Sequence, residues 1–318
     1  MSAGHWMPAM IETFDLALPH GITLNCRASG SPGRPVLLFL HGFPEAAFVW
    51  DALLEHFAQP EHGGYRCVAP NLRGYERSSA PTEVAAYQAK ELVKDIAATV
   101  AAITTHSPTP GQLAALVAHD WGGAIAWTVA NQHPALMQRL VILNAPHAGP
   151  FLRELASSPE QQAASAYMNF LIRPDAPDLL AENDFARLWP FFTNMGADKG
   201  PKAWLDDATR ERYRDAWRHG LKGPCAYYAA SPLRPPRPGD PAAAALTVPH
   251  ERLAVALPTL VIWGLNDSAL PRGLLNGLEA WVPQLTVHLE PEASHWIVHE
   301  MPDRVAEVIG AYLARANQ

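Results

Sequence analysis

Residues 36–40 read Val-Leu-Leu-Phe-Leu, an apolar run with no polar break. A strand with one wet face alternates apolar and polar residues, so an unbroken run of this length belongs to a strand covered by helices on both faces. Further short apolar runs follow at residues 67–69, 113–118, 140–143, 259–263 and 285–289. Helical stretches separate most of them. The clearest is 89–103, where Leu92, Ile96, Val100 and Ile103 recur at intervals of three and four. Strands alternating with helices predict an α/β fold with a mainly parallel sheet and right-handed crossovers. Residues 11–28 differ: they read as two strands joined at Pro19-His20-Gly21, a hairpin-like opening.

The alternation stops between about residues 147 and 245. That segment is rich in aromatics and Arg, holds no convincing strand, and ends in a proline-dense stretch at 231–240 that cannot continue a helix or a central strand. The pattern predicts a first part of the core over 1–146, a helical insertion after the sixth strand over 147–245, and a second part of the core over 246–318. A net charge of -7 argues against nucleic acid or an anionic membrane as partner, since both call for a basic surface. Cys26, Cys67 and Cys225 are odd in number and far apart, which fits idle thiols rather than a disulfide framework or a CxxC site. The first residues carry no basic segment followed by an apolar stretch, and no run approaches the ~20 apolar residues of a membrane span. These features predict a cytoplasmic protein.

The segment Leu116-Val-Ala-His-Asp-Trp-Gly-Gly-Ala-Ile-Ala126 is where chemistry is most legible. An apolar strand ends, a polar residue follows, and small residues permit a tight turn into a helix. This is the signature of a nucleophile elbow, with Asp120 where a serine usually stands. The plainer reading makes Asp120 an ordinary helix N-cap. Three further segments weigh against that. His41-Gly42-Phe43-Pro44-Glu45 directly follows the strand at 36–40, where such folds place half of an oxyanion hole; Phe43 and Trp121 would supply its two N–H groups. Asp267 lies just beyond the strand at 259–263, and His295 lies in the loop after 285–289. Nucleophile, acid, histidine is the chain order of this fold.

HGFPE, HDWGG and ASHWIVHEMP, with NLRGYERS at 71–78, closely resemble the epoxide hydrolases of the α/β-hydrolase fold, over roughly residues 10–315. HDWGG is shared with haloalkane dehalogenases; HGFPE favours the epoxide hydrolases. The resemblance implies a mostly parallel central sheet flanked by helices, a helical cap, a cis Phe43-Pro44 bond, and two cap tyrosines that protonate the departing oxygen. Tyr167 matches the first. Ala226-Tyr227-Tyr228-Ala229 lies where the family carries Asn-Tyr-Tyr-Arg, which makes Tyr228 the second, with Tyr227 left open by the altered flanks.

An aspartate suits such a reaction. Serine attacking saturated carbon would leave an ether that water does not readily cleave, whereas a carboxylate gives an ester that can be hydrolysed. A carboxylate is also ionised at neutral pH without a base. His295 would then serve only the water, with Asp267 fixing its tautomer.

The implied partners are a small apolar epoxide and water, with no cofactor, no metal, no nucleic acid and no membrane; a homodimer is the assembly this reading allows. A haloalkane or haloacid dehalogenase is the alternative. A haloalkane enzyme would need a second halide donor, such as Trp189, beside Trp121. A fluoroacetate enzyme would carry Arg where Trp121 stands. A zinc site is weak because neither Trp296 nor Val298 supplies the Glu that His295 and His299 would need. A non-catalytic binding module would tend to lack one of Asp120, Asp267 and His295. No G-x-G-x-x-G or P-loop supports a nucleotide. His41 and His119 read as loop-orienting partners and Glu45 as a helix cap. Arg73, Glu76 and Arg77 read as a salt-bridge cluster, and Trp189, Trp204 and Trp217 as core.

Overall fold

The computed structural model describes residues 10–200 and 203–315. The expectation that no secretion signal opens the chain falls on residues 1–9, outside that range. Among the described residues eight strands form one sheet: β1 (Glu12–Ala17), β2 (Thr23–Ser29), β3 (Val36–Leu40), β4 (Arg66–Pro70), β5 (Ala115–His119), β6 (Leu140–Leu143), β7 (Thr259–Gly264) and β8 (Leu285–Glu290). Their spatial order is β1-β2-β4-β3-β5-β6-β7-β8. The first two strands pair antiparallel, as does β2 with β4, and every later pair is parallel. This is the α/β-hydrolase fold.

Four of the apolar runs become strands buried at every residue, β3, β5, β6 and β7, whereas the run at 285–289 becomes the outermost β8, whose side chains are largely half-buried or exposed. Helices cover the sheet: α1 (Asp51–Ala58) packs with the last helix, and α2 (Ala89–Ile103) packs with α3 (Asp120–Gln132). The run expected to start a strand at residue 113 starts one at Ala115 instead, because Leu113 pairs with Met137 only in an isolated bridge. The chain runs from β3 outward to β4 and then crosses back to β5 on the other side of β3. In open α/β sheets that reversal leaves a crevice at the strands' carboxyl ends, where ligands bind.

Between β6 and β7 the described residues form seven α-helices: α4 (Ala148–Ser157), α5 (Pro159–Ala164), α6 (Tyr167–Leu171), α7 (Ala176–Phe185), α8 (Trp189–Thr193), α9 (Asp207–Arg218) and α10 (Lys222–Ala230). No strand is found there among the described residues. Phe192, Tyr213 and Trp217 are buried and pack ring on ring, giving the insertion an aromatic core of its own. The proline-dense return is closed by an Arg234–Asp240 ion pair at 2.7 Å. After β8 come the short α11 (Ile297–Glu300) and α12 (Pro302–Ala314). Among the described residues no helix is long and apolar enough to cross a membrane. All three cysteines are buried and free, and burial pushes the Cys26 and Cys225 thiols up to about 12.

Insertion and core meet most closely at α10. A methyl group on Gly223 would run into the backbone of Gly74, which itself has a left-handed φ of +86°. Backbone therefore lies on backbone, and only glycine fits on either side.

Candidate active site

β5 ends on an extended His119, and the chain then turns sharply, with Asp120 at φ +49° before α3 proceeds. Residues with a Cβ adopt this left-handed conformation at a cost of about 1–2 kcal/mol, so surrounding structure must impose it. Gly122 is what lets α3 start there: a methyl group on it would run into the Leu40 and His41 carbonyl oxygens at the end of β3. His119, not Asp120, occupies the N-cap position. The Asp120 carboxylate points out of the turn, and its Oδ1 accepts the Phe43 N–H at 2.7 Å. The Phe43-Pro44 bond is cis.

His295 Nε2 lies 3.7 Å from Asp120 Oδ2, and its Nδ1–H donates to Asp267 Oδ2 at 2.7 Å. Asp267, just past β7, also accepts the N–H groups of Ala269 and Leu270 at 2.9 Å each and the Asn144 side-chain amide at 2.7 Å. Asn144 follows β6 and in turn accepts the Gly264 N–H at 3.0 Å, tying β6, β7 and the acid together. Burial disfavours the His295 imidazolium, but Asp267 first, and then Asp120 and Glu45, outweigh it and raise the group to about 9.

Beneath His295 sits a buried polar cluster. His119 Nε2–H donates to the His295 carbonyl at 2.9 Å, and its Nδ1–H donates to Glu45 Oε2 at 2.9 Å. Burial alone would raise the Glu45 carboxyl; His119 and His299 beside it hold it below the usual carboxylate range. Glu45 therefore does not cap a helix as expected from the sequence. It is buried, bonded to His119, and lies 3.3 Å from His299 Nε2 and 3.4 Å from the Tyr213 hydroxyl. His41 is a loop support: its Nδ1–H meets the Gly42 carbonyl at 3.0 Å while Nε2 accepts the Leu72 N–H at 3.1 Å. Burial pushes it down to about 4, matching this neutral tautomer.

The insertion places two tyrosines over Asp120, Tyr167 at the start of α6 and Tyr228 on α10, with ring centroids 6.0 Å apart. Phe43 and Trp121 pack edge-on against Tyr228 at 5.3 and 5.1 Å. Burial and the nearby Asp120 anion raise the Tyr167 hydroxyl far above its ordinary range; burial, Tyr167 and Asp120 do the same for Tyr228. Tyr227 faces the other way. Its hydroxyl donates to the Arg73 carbonyl at 2.8 Å and its ring packs on Tyr75. Tyr227→Phe is accordingly expected to lower stability by about 1–3 kcal/mol, the cost of stranding a buried carbonyl, read as a shift of the urea midpoint.

Two chambers open from Asp120, Tyr167 and Tyr228. The smaller, about 230 Å³, is walled by Phe43, Phe191, His295 and Trp296. The larger, about 630 Å³, runs beside α3 past Trp121, Ala124 and Thr128.

Other groups singled out in the sequence take structural positions. Arg73 pairs with Asp95 on α2 at 2.6 Å rather than with Glu76, and His20 joins the same carboxylate at 2.6 Å, so the expected cluster at 73–77 is corrected. The Trp189 indole N–H goes to the Asp184 carbonyl at 3.1 Å, away from Asp120. Trp204 stacks on His299 at 3.9 Å, and Trp217 donates to the Pro44 carbonyl at 2.7 Å. His299 bonds to Tyr213 at 2.7 Å and Glu300 to Ser294 at 2.6 Å, so these two side chains point at partners other than those of His295. Asn144 was not singled out from the sequence; a polar residue closing the apolar run at 140–143 was the available signal.

A family model for the alpha/beta hydrolase fold matches residues 35–302. The AB hydrolase superfamily protein YfhM of Bacillus subtilis (strain 168) is 31% identical over 92% of this chain and 95% of its own. Mouse epoxide hydrolase 3 is 30% identical, covering 92% of this chain and 74% of that protein. Among solved structures, the inhibitor-bound epoxide hydrolase of Bacillus megaterium superposes with a TM-score of 0.83 at 29% identity, over 95% of this chain and all (100%) of that one. An epoxide hydrolase from hot-environment metagenomes superposes at 0.81 with 36% identity, over 96% and 99% of the two chains.

Proposed function

The chain belongs to the α/β-hydrolase family, and from that premise we propose that it opens epoxides to vicinal diols through a covalent ester on Asp120. The observation that carries this reading is the pair of protonated phenols, Tyr167 and Tyr228, which line both chambers together with the Asp120 carboxylate. An epoxide held there has its oxygen toward two proton donors and a ring carbon toward the nucleophile. For a dehalogenase the same place would call for a second halide donor beside Trp121, but position 43 is Phe and the Trp189 N–H is turned away.

In the first half-reaction an Asp120 oxygen forms a bond to a ring carbon, the carbon–oxygen bond of the ring breaks, and one tyrosine gives its proton to the departing oxygen. The product is a hydroxyalkyl ester and a phenolate. The His295 imidazolium then supplies the proton that restores the phenol. Esterification also removes the Asp120 charge, one of the anions that raise His295, so the ring becomes a competent base at that stage. In the second half-reaction His295 takes a proton from water, and the hydroxide adds to the ester carbonyl. The Phe43 and Trp121 N–H groups hold the oxyanion. Collapse releases the diol and restores the Asp120 carboxylate, leaving His295 protonated as at the start. Asp267 keeps Nδ1–H of His295 turned inward, so that Nε2 faces the water.

Single turnover in oxygen-18 water tests this. The label is expected on Asp120 after one cycle, with unlabelled diol, because the second oxygen of that diol comes from the carboxylate. Label appearing directly in the diol would show that water attacks the ring itself.

The charge argument also sets a pH dependence. Hydrolysis needs neutral His295, so ester decay is expected to rise with pH and level off. With Asp120 esterified, one cause of the elevation to about 9 is gone, and the midpoint is expected below pH 9. Stopped-flow decay of the ester across pH 6–10 reads it; a midpoint no lower than that of His295 in the free enzyme would contradict the role given to the Asp120 charge.

A further inference from the structure

The two chambers differ in size, lining and relation to His295, and they meet only at the reacting groups. Phe43, His295 and Trp296 border the smaller chamber alone, and Trp121 borders the larger alone, so the chambers leave Asp120 in different directions. Helix α3 presents one face along the larger: Trp121, Ala124, Thr128 and Asn131, at helical spacing, all retain some exposure. Its inner part is apolar, with Phe151, Met168 and Leu270, while its far end is rimmed by Asn131, Gln132, Glu251 and Arg252. That rim carries one charge of each sign and two amides, which suits a neutral polar group better than an ion.

We propose that the substrate is a 1,2-disubstituted epoxide with two unlike arms: a compact aromatic or branched alkyl group on one carbon, and a long chain ending in a hydroxyl or ether on the other. This rests on the epoxide reading above and gives its substrate class. With the ring oxygen toward Tyr167 and Tyr228, substituents on the two carbons diverge, and each falls into one chamber. An apolar cavity of ~150 Å³ suffices for benzene, so the smaller chamber at about 230 Å³ takes a phenyl group against Phe43, Phe191 and Trp296. It then retains room for one or two waters at ~30 Å³ each. His295 needs that remainder, since it opens only on this side. A long chain in the smaller chamber would displace the water, which fixes the orientation: the long arm lies along α3.

Three epoxides test the proposal: styrene oxide, which bears phenyl alone; a terminal epoxide bearing a hydroxyl-ended chain alone; and a trans epoxide bearing both. The two-armed compound is expected to exceed each single-armed one in kcat/KM by roughly tenfold or more, the scale on which a pocket discriminates a missing apolar group. Ala124→Phe, which narrows the larger chamber, should lower the two chain-bearing epoxides more than styrene oxide. Ala164 lines the smaller chamber and not the larger, so Ala164→Phe should lower the two phenyl-bearing ones more than the chain alone. Should Ala124→Phe fail to fold, Thr128→Phe, one turn along the same face, replaces it. Styrene oxide turned over as well as the two-armed compound would overturn the proposal while leaving the epoxide reading intact, as would variants that lower all three equally. No diol from any of the three would overturn both.

Discussion

His295→Gln protein mixed with an epoxide is expected to stop halfway, with its intact mass raised by one substrate and almost no diol released. In the proposed mechanism ring opening draws on Asp120 and the tyrosines, whereas ester hydrolysis draws on the base, and a positioned general base is worth about 10²–10⁴ in rate. Glutamine retains much of the imidazole's volume beside Asp267 and Asp120 but takes no proton from water. Alkylation should therefore remain measurable while ester decay falls by roughly two to four orders of magnitude. Mass spectrometry at intervals after mixing reads both. An unmodified mass together with undiminished steady-state turnover would remove His295 from the role of base. Asp267→Asn should weaken the same step, because the amide no longer balances the imidazolium charge or favours the right tautomer.

Tyr167→Phe/Tyr228→Phe protein is expected to lose alkylation almost entirely, while each single variant is slowed but alive. Phenylalanine keeps the ring packing on Phe191, Phe43 and Trp121, so the change removes donors and little else. An alkoxide is a poor leaving group without a proton, and one remaining phenol can still supply it. A departing halide needs none, so a dehalogenase carrying the same double change would keep much of its rate. Pre-steady-state alkylation of wild type, both singles and the double reads the difference. A double variant that alkylates as fast as wild type would end the assignment. The bond from Tyr227 to the Arg73 carbonyl favours Tyr228 as second donor, so Tyr227→Phe should change stability more than alkylation.

The sequence showed strands, crossovers and the elbow because each is a local pattern. The run at 36–40 needs only its own residues to announce burial, and Asp120 followed by Trp121-Gly122-Gly123 announces a turn too tight for larger side chains. Helix α2 took the expected bounds because its apolar period is unbroken. Partners far apart in the chain were not legible. Glu45 followed by a helix looks like a cap, and nothing nearby says that His119, His299 and Tyr213 will close around it. Arg73 has an acidic neighbour at 76, yet bonds to Asp95, because that carboxylate comes from α2 through the packing of helix on sheet. The resemblance pointed to Tyr228 and left Tyr227 open because of the altered flanks; the bond from the Tyr227 hydroxyl to the Arg73 carbonyl joins residues far apart in the chain and had no local signal.

Asp120, Asp267 and His295 sit at the ends of core strands, or in the loops just beyond them, and the contacts that hold them come from neighbouring strand ends: Phe43 for Asp120, Asn144 for Asp267, His119 for His295. Tyr167 and Tyr228 belong instead to residues 148–245. Inheritance can act on these two sets separately. A change in the inserted helices could replace the two tyrosines and leave the contacts that hold Asp120, Asp267 and His295 in place. Tyr213, which reaches from α9 down to His299 and Glu45, Trp217, which donates to the Pro44 carbonyl, and Tyr227, which donates to the Arg73 carbonyl, are side chains through which such a change would be felt below.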